Sequence, residues 1–138
     1  MKIETVLRTH LRKAAKVAEN APYERQKMGC VVFRKKTLLA FGCNQEKSEP
    51  LQKMYNKYRE DIDDSRPHKC HAEIATLKKL QGQDLTGCSI LICRLSRMQD
   101  KEFAMARPCP ACMEYIRNLG IKDIYYTTDF GFAHEKLD

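Results

Sequence analysis

Ile3, Leu7, Leu11, Ala14 and Ala18 recur at the spacing of one helical face, while Lys2, Arg8, Arg12, Lys13 and Lys16 fall mostly elsewhere. The chain therefore opens with an amphipathic helix, ended by Asn20 and Pro22. Residues 30–33 and 38–41 are short β-prone runs on either side of a charged turn at Lys35 and Lys36, and they read as a hairpin. Residues 45–69 break this pattern. They hold six basic and six acidic side chains, with a short helix expected over 51–59 and a polar stretch over 61–67. We read them as an insertion over one end of a sheet. Residues 72–80 are rich in helix formers, with Ile74, Leu77 and Leu80 on one side and Gly82 as a stop signal. An apolar, β-branched run at 89–93 predicts a strand, followed by a polar loop to Pro108. Cys112, Ile116 and Leu119 then keep helical period up to Gly120. A strand at 124–127 and a turn at Asp129, Phe130 and Gly131 lead into a last segment at 133–137, read as an edge strand. Helices alternating with strands imply a layered α/β fold, here one domain over residues 1–138.

Composition narrows the class. The 138 residues are 43% hydrophobic and 31% charged, with no apolar run near the ~18 residues of a membrane span. The first residues mix charged and apolar side chains instead of forming a secretory apolar core, so a cytoplasmic location is expected. Seven cysteines are an odd number and suit reduced thiols or metal ligands better than a disulfide framework. Five of them, Cys30, Cys43, Cys70, Cys88 and Cys93, are expected to behave as small hydrophobes. The net charge of +7 comes from residues 1–40, which hold ten Lys/Arg against three Asp/Glu. A polyanion binder could use that surplus, but only as a patch beside its working site. A solvated basic face is the reading we prefer.

The chemistry concentrates in two segments: His71, Ala72, Glu73, and Pro108, Cys109, Pro110, Ala111, Cys112. Each opens a predicted helix, where unpaired backbone N–H groups favour a thiolate and help it bind metal. Cys109 and Cys112 share one face of a first helical turn, so both can reach one ion. His71 would complete a His, Cys, Cys set that leaves the fourth tetrahedral position of Zn²⁺ open, the mark of a catalytic rather than a structural site. Glu73 lies close enough to carry protons without occupying the metal. A structural zinc ribbon needs four protein ligands, and only one C-x-x-C pair is present. A redox C-x-x-C would leave His71 and Glu73 without a purpose. Taken singly, His71 is an ordinary surface histidine and Glu73 a helix-start carboxylate; together with the cysteines they are not.

H-x-E followed by P-C-x-x-C is the signature of zinc-dependent nucleobase deaminases, and the chain resembles the cytidine and deoxycytidylate deaminase superfamily. The resemblance extends to the opening helix, the hairpin ending at Gly42, Cys43 and Asn44, and Gly120, Ile121, Lys122 before a Tyr-rich strand. It implies a three-layer α/β/α fold with a mixed five-stranded sheet, one catalytic Zn²⁺ per chain, and a homo-oligomer, dimer or tetramer. It also implies hydrolytic deamination of a cytosine nucleotide or nucleoside (dCMP, CMP, deoxycytidine or cytidine) to the uracil product and ammonia. By the same resemblance His71, Cys109 and Cys112 hold the metal and Glu73 moves protons. Asn44 matches a residue that holds a sugar hydroxyl, Ala72 one whose backbone N–H meets the ring carbonyl, and Arg107 one whose backbone C=O accepts the ring amine. The pattern gives the Arg107 side chain no role. Arg66, Lys69, Arg94 and Arg107 flank the motifs and are candidates to reach a substrate phosphate, the alternative being loop charges that merely meet solvent. A polymer substrate, tRNA adenosine or single-stranded cytosine, is the alternative, with Tyr55 and Tyr58 as stacking platforms; a purine such as guanine is another. A second, structural zinc near His68 and Cys70 lacks four convincing ligands. His10 and His134 receive no role, and an intact Glu73 speaks against a non-enzymatic binding module.

Overall fold

In the computed structural model, which describes residues 3–22, 25–59 and 68–137, helix α1 spans Ile3–Glu19 and ends as the sequence pattern expects. The expected polar stretch at 61–67, with Arg66, lies outside the described residues. Leu7, Leu11 and Ala14 of α1 pack onto Val31, Phe33, Leu91, Cys93 and Tyr125, forming one of two cores. Strand β1 (Met28–Arg34) sends alternate side chains to opposite faces, so Cys30 and Val32 enter the other core. Burial on both faces is why this strand reads as a continuous apolar run.

Strand β2 (Thr37–Cys43) pairs antiparallel with β1 across the predicted turn, where Lys35 adopts φ 55°. Strands β3 (Ser89–Leu95), β4 (Phe103–Ala104), β5 (Asp123–Thr128) and β6 (Gly131–Lys136) complete a mixed sheet. Its main order is β2-β1-β3-β5-β6, with β3 and β5 parallel and the other neighbours antiparallel. The five expected strands are these, and β4 is a sixth, pairing Phe103 and Ala104 with Leu95 and Arg94. Two residues are too few to show an alternating pattern, so β4 was invisible within the predicted polar loop.

Helices α3 (Ala72–Leu77), tightening to a 3₁₀ turn at Lys78–Leu80, and α4 (Pro110–Asn118) cover the face opposite α1. Ile74, Leu77 and Ile116 are fully buried there against Ile90, Ile92 and Ile124. Burying each such side chain contributes about 1.5–3 kcal/mol. The layers are therefore α/β/α. Helix α2 (Pro50–Tyr55) and a 3₁₀ turn (Asn56–Tyr58) form within the 45–69 segment, close to the helix expected there. Glu49 caps α2 through Leu51 N–H and pairs with Lys78 at 2.6 Å. Gln45 N–H, Cys70 N–H and Glu49 N–H donate to the carbonyls of Cys70, Lys47 and His68, so the chain leaving β2 runs antiparallel to the chain entering α3. Among the described residues no helix is long and apolar enough to cross a membrane.

Where β1 crosses α1, the backbones meet at Gly29. A Cβ there would collide with the Ala14 carbonyl oxygen and lie 2.7 Å from Ala18 N. Both obstacles are backbone and cannot swing aside. Gly29→Ala is expected to cost more than about 3 kcal/mol, at or above the upper end for overpacking, measured as a fall in the denaturant midpoint. A loss under about 1 kcal/mol would show that α1 lifts away easily.

Candidate active site

The two motifs converge because each ends up at a helix start. His71 is the N-cap of α3 and Cys109 the N-cap of α4, both in extended backbone conformation, with Pro110 pre-set for the first helical turn. His71 Nδ1 lies 3.6 Å from Cys109 Sγ and 3.3 Å from Cys112 Sγ. All three ligand atoms fall within 4.8 Å of one another. Tetrahedral zinc with ordinary Zn–S and Zn–N bonds separates a nitrogen and a sulfur ligand by about 3.6 Å, so the spacing fits. Among the described residues, no other group of three His, Cys, Asp or Glu side chains meets this condition.

The electrostatics fit a cation as well. The Cys112 thiol donates to Cys109 and holds its pKa down to about 4 against the opposing effect of burial, with His71 helping. Cys112 is pushed well up by that shared proton and by its burial. Burial disfavours a charged His71 ring, yet contact with Cys109 and the nearby Glu73 outweighs it and raises the pKa. Glu73 is 2% exposed, and its Oε1 is buried with no hydrogen-bond partner among the described residues. Burial raises its pKa, partly offset by His71. An orphaned carboxylate oxygen beside two cysteines and an imidazole is costly unless a cation or a reacting group takes it up.

A cavity of about 620 Å³ opens over this cluster, lined by His71, Glu73 and Cys109 at its base. Arg59, Lys69, Arg94 and Arg107 stand in its wall, and Glu73 is the one carboxylate among the described lining residues. Among the described residues of 1–40, only Gln26 and Met28 line the cavity. The basic surplus of that stretch is therefore not gathered at the site. Tyr55 packs on Tyr115 and Tyr58, with ring centroids 5.0 and 6.0 Å apart, rather than standing in the cavity wall.

Asn44, just past β2, lines the cavity, but both ends of its amide are already engaged. Its Oδ1 accepts from Met28 N–H at 3.0 Å, and its Nδ2 donates to the Gln26 carbonyl at 2.7 Å. One N–H and one lone pair remain for a ligand. Ala72 is fully buried, so only its main chain could meet one. The Arg107 side chain, unexplained by the sequence, makes a two-pronged pair with Glu135 at 2.6 and 3.0 Å, and Tyr126 O–H donates to the same carboxylate. Thr127 Oγ1 donates to the Ala104 carbonyl and accepts from Arg94 N–H, while Ala106 N–H donates to the Thr127 carbonyl. These bonds tie the 104–107 segment to β5 and so aim Pro108 and Cys109. No periodic signal marked Thr127, Tyr126 or Glu135 for this purpose, since their partners lie elsewhere in the chain.

Residues 4–128 match the family model described as the cytidine and deoxycytidylate deaminase zinc-binding region. The chain belongs to that family. It is accordingly a zinc-dependent hydrolytic deaminase, and His71, Cys109 and Cys112 are placed to take the metal. The deaminase fold is also that of solved structures. The dCMP deaminase of the cyanophage S-TIM5 in apo form is 21% identical, covers 93% of this chain and 86% of its own, and superposes with a TM-score of 0.63. The same phage enzyme in complex with dCMP and dUMP is 22% identical, with 93% and 84% coverage and a TM-score of 0.59. No curated protein matches the chain by sequence.

Proposed function

We propose that this deaminase acts on a free cytosine nucleoside monophosphate, dCMP or CMP, releasing ammonia and the uracil nucleotide. The observation that carries the reading is the cavity wall, where Arg59, Lys69 and Arg94 gather around Glu73, the one carboxylate among the described lining residues, with Arg107 beside them in its pair with Glu135. A phosphate suits such a wall; an uncharged nucleoside gains little from it. The phage enzyme of similar fold has been solved with dCMP and dUMP, which supports the same substrate. Residues 1–138 act in this reading as one catalytic unit, to which Gln45, Asn56, Arg59, His68 and Lys69 of the 45–69 segment contribute cavity wall.

His71 Nδ1 and the two cysteine sulfurs would hold zinc, whose chemistry when bound would be to make water nucleophilic at neutral pH. Glu73 accepts a proton from the attacking water and delivers it to N3 of the ring. A further transfer through the same carboxylate to the C4 amino group breaks the C–N bond, so cytosine and water become uracil and ammonia. Asn44 offers its remaining N–H to the sugar, Ala72 N–H meets the ring carbonyl, and the Arg107 carbonyl accepts from the amine. The clamp by Glu135 keeps the Arg107 side chain against the wall while its carbonyl is presented.

Ammonia release from dCMP, CMP, deoxycytidine and cytidine tests this directly. We expect kcat/KM for a monophosphate to exceed that of its nucleoside by at least about tenfold, the value of one charge-assisted hydrogen bond. Equal rates with nucleosides would remove the phosphate from the reading. Turnover confined to single-stranded oligonucleotides or tRNA would replace it with a polymer substrate.

A further inference from the structure

Gln52 is fully buried, yet it belongs to α2 in the segment whose contribution to the site the motifs leave open. Its Oε1 accepts from His71 N–H at 3.0 Å. A main-chain N–H can only donate, so the orientation of the Gln52 amide is not free. Its NH₂ group must then be the donor in the 2.8 Å contact with Asn56 Oδ1. Asn56, itself 6% exposed, is thereby turned so that its own NH₂ faces His68 Nδ1 at 2.8 Å. That ring nitrogen must accept, which leaves the proton of a neutral His68 on Nε2.

We propose that Gln52 and Asn56 form a one-directional amide relay that positions the metal ligand His71 and fixes His68 as its Nε2–H tautomer. The relay gives the 45–69 segment a part in the reaction. It rests on the reading of His71 as a zinc ligand. Gln52 touches neither metal nor substrate in this role, so it is a positioning residue. Its oxygen holds the backbone from which the His71 imidazole projects, at the point where α3 begins. The relay is held at both ends by Glu49: its N–H donates to the His68 carbonyl, and its side-chain carboxylate caps the helix that carries Gln52. The direction is set from the His71 end, because reversing either amide would set donor against donor. His68 Nε2, where the relay leaves the proton, is buried with no hydrogen-bond partner among the described residues, so the order is imposed by the amides and not from that end.

Three substitutions in the relay and one core control, all in the full chain, separate the parts, read by zinc competition against a chromophoric chelator and by ¹⁵N NMR of the histidine rings. Wild type should show His68 protonated at Nε2. Gln52→Met, of similar size but without the acceptor, should weaken zinc binding by about 10- to 100-fold, the usual effect of removing a group that orients a metal ligand. Gln52→Glu keeps an oxygen for His71 N–H and should restore most of that affinity. It also makes Asn56 turn its NH₂ towards the new carboxylate, so the His68 proton should move to Nδ1. Asn56→Asp should leave zinc affinity unchanged and likewise move the proton to Nδ1. Ile124→Val, a core control, should leave both readouts at wild-type values. Unchanged zinc affinity in folded Gln52→Met, or an Nδ1–H tautomer in wild type, would overturn the relay. A wild-type protein that takes up no zinc would overturn the zinc reading instead, and the tautomer readout would still test the relay by itself.

Discussion

Glu73→Gln is expected to keep its zinc and lose turnover by about 10²- to 10⁴-fold, the range for removing a general acid–base group. Glutamine has nearly the same shape and fills the same buried space, so the ligand cluster beside it should survive. What it cannot do is accept a proton and give it back. Glu73 is suited to this work because its carboxylate is buried and its Oε1 has no partner among the described residues. Burial also raises its pKa, so the carboxyl holds a proton more readily than an exposed glutamate would. The arrangement costs stability, and Glu73→Gln should consequently unfold at an equal or higher temperature than wild type. Metal analysis, a thermal melt and ammonia release decide the matter together. A variant that loses metal in step with activity would make Glu73 part of the metal site, and a kcat within tenfold of wild type would leave the proton carrier unidentified.

The elements that could be read from sequence are those whose burial repeats along the chain. Leu7, Leu11 and Ala14 mark the face of α1, and Ile74, Leu77 and Ile116 the faces of α3 and α4, because each helix lays a continuous stripe on the sheet. His71, Cys109 and Cys112 were legible for a different reason: metal chemistry restricts both residue type and spacing. The supports of the site follow neither rule. Gln52 looks like any polar residue of an exposed helix, yet it is fully buried because the chain folds back to place His71 N–H above it. Arg107 and Glu135 are separated by all of α4 and β5 and by the final turn, and they meet only because β6 returns beside β5. Strand β4 exists because β3 offers it a partner at Arg94 and Leu95, not because its two residues prefer to be extended. Local pattern carries information about what a segment buries, whereas these contacts depend on which segments the topology brings together.

Cys112→Ala should abolish deamination through loss of the metal, and the other cysteines supply its control. Zinc held by four protein ligands is bound with roughly 10–16 kcal/mol, so one ligand contributes on the order of 3–4 kcal/mol, or a 10²- to 10³-fold loss of affinity. A site with only three protein ligands has less to spare. Cys112 is fully buried in the first turn of α4, and alanine there leaves His71 and Cys109 without the third donor. Cys93 is just as buried, but burial pushes its thiol up to about 12, where it stays protonated against α1. Cys109, by contrast, is held at about 4 by the Cys112 thiol and His71. Cys93→Ala should therefore keep zinc and turnover while losing on the order of 1 kcal/mol of stability to a small cavity. Zinc content, ammonia release and a denaturation curve for both variants separate a ligand from a packed thiol. Equal zinc loss in the two would mean that the metal senses the stability of the whole fold rather than its own donors. Zinc retained by Cys112→Ala would remove this sulfur from the ligand set, despite its 3.3 Å approach to His71.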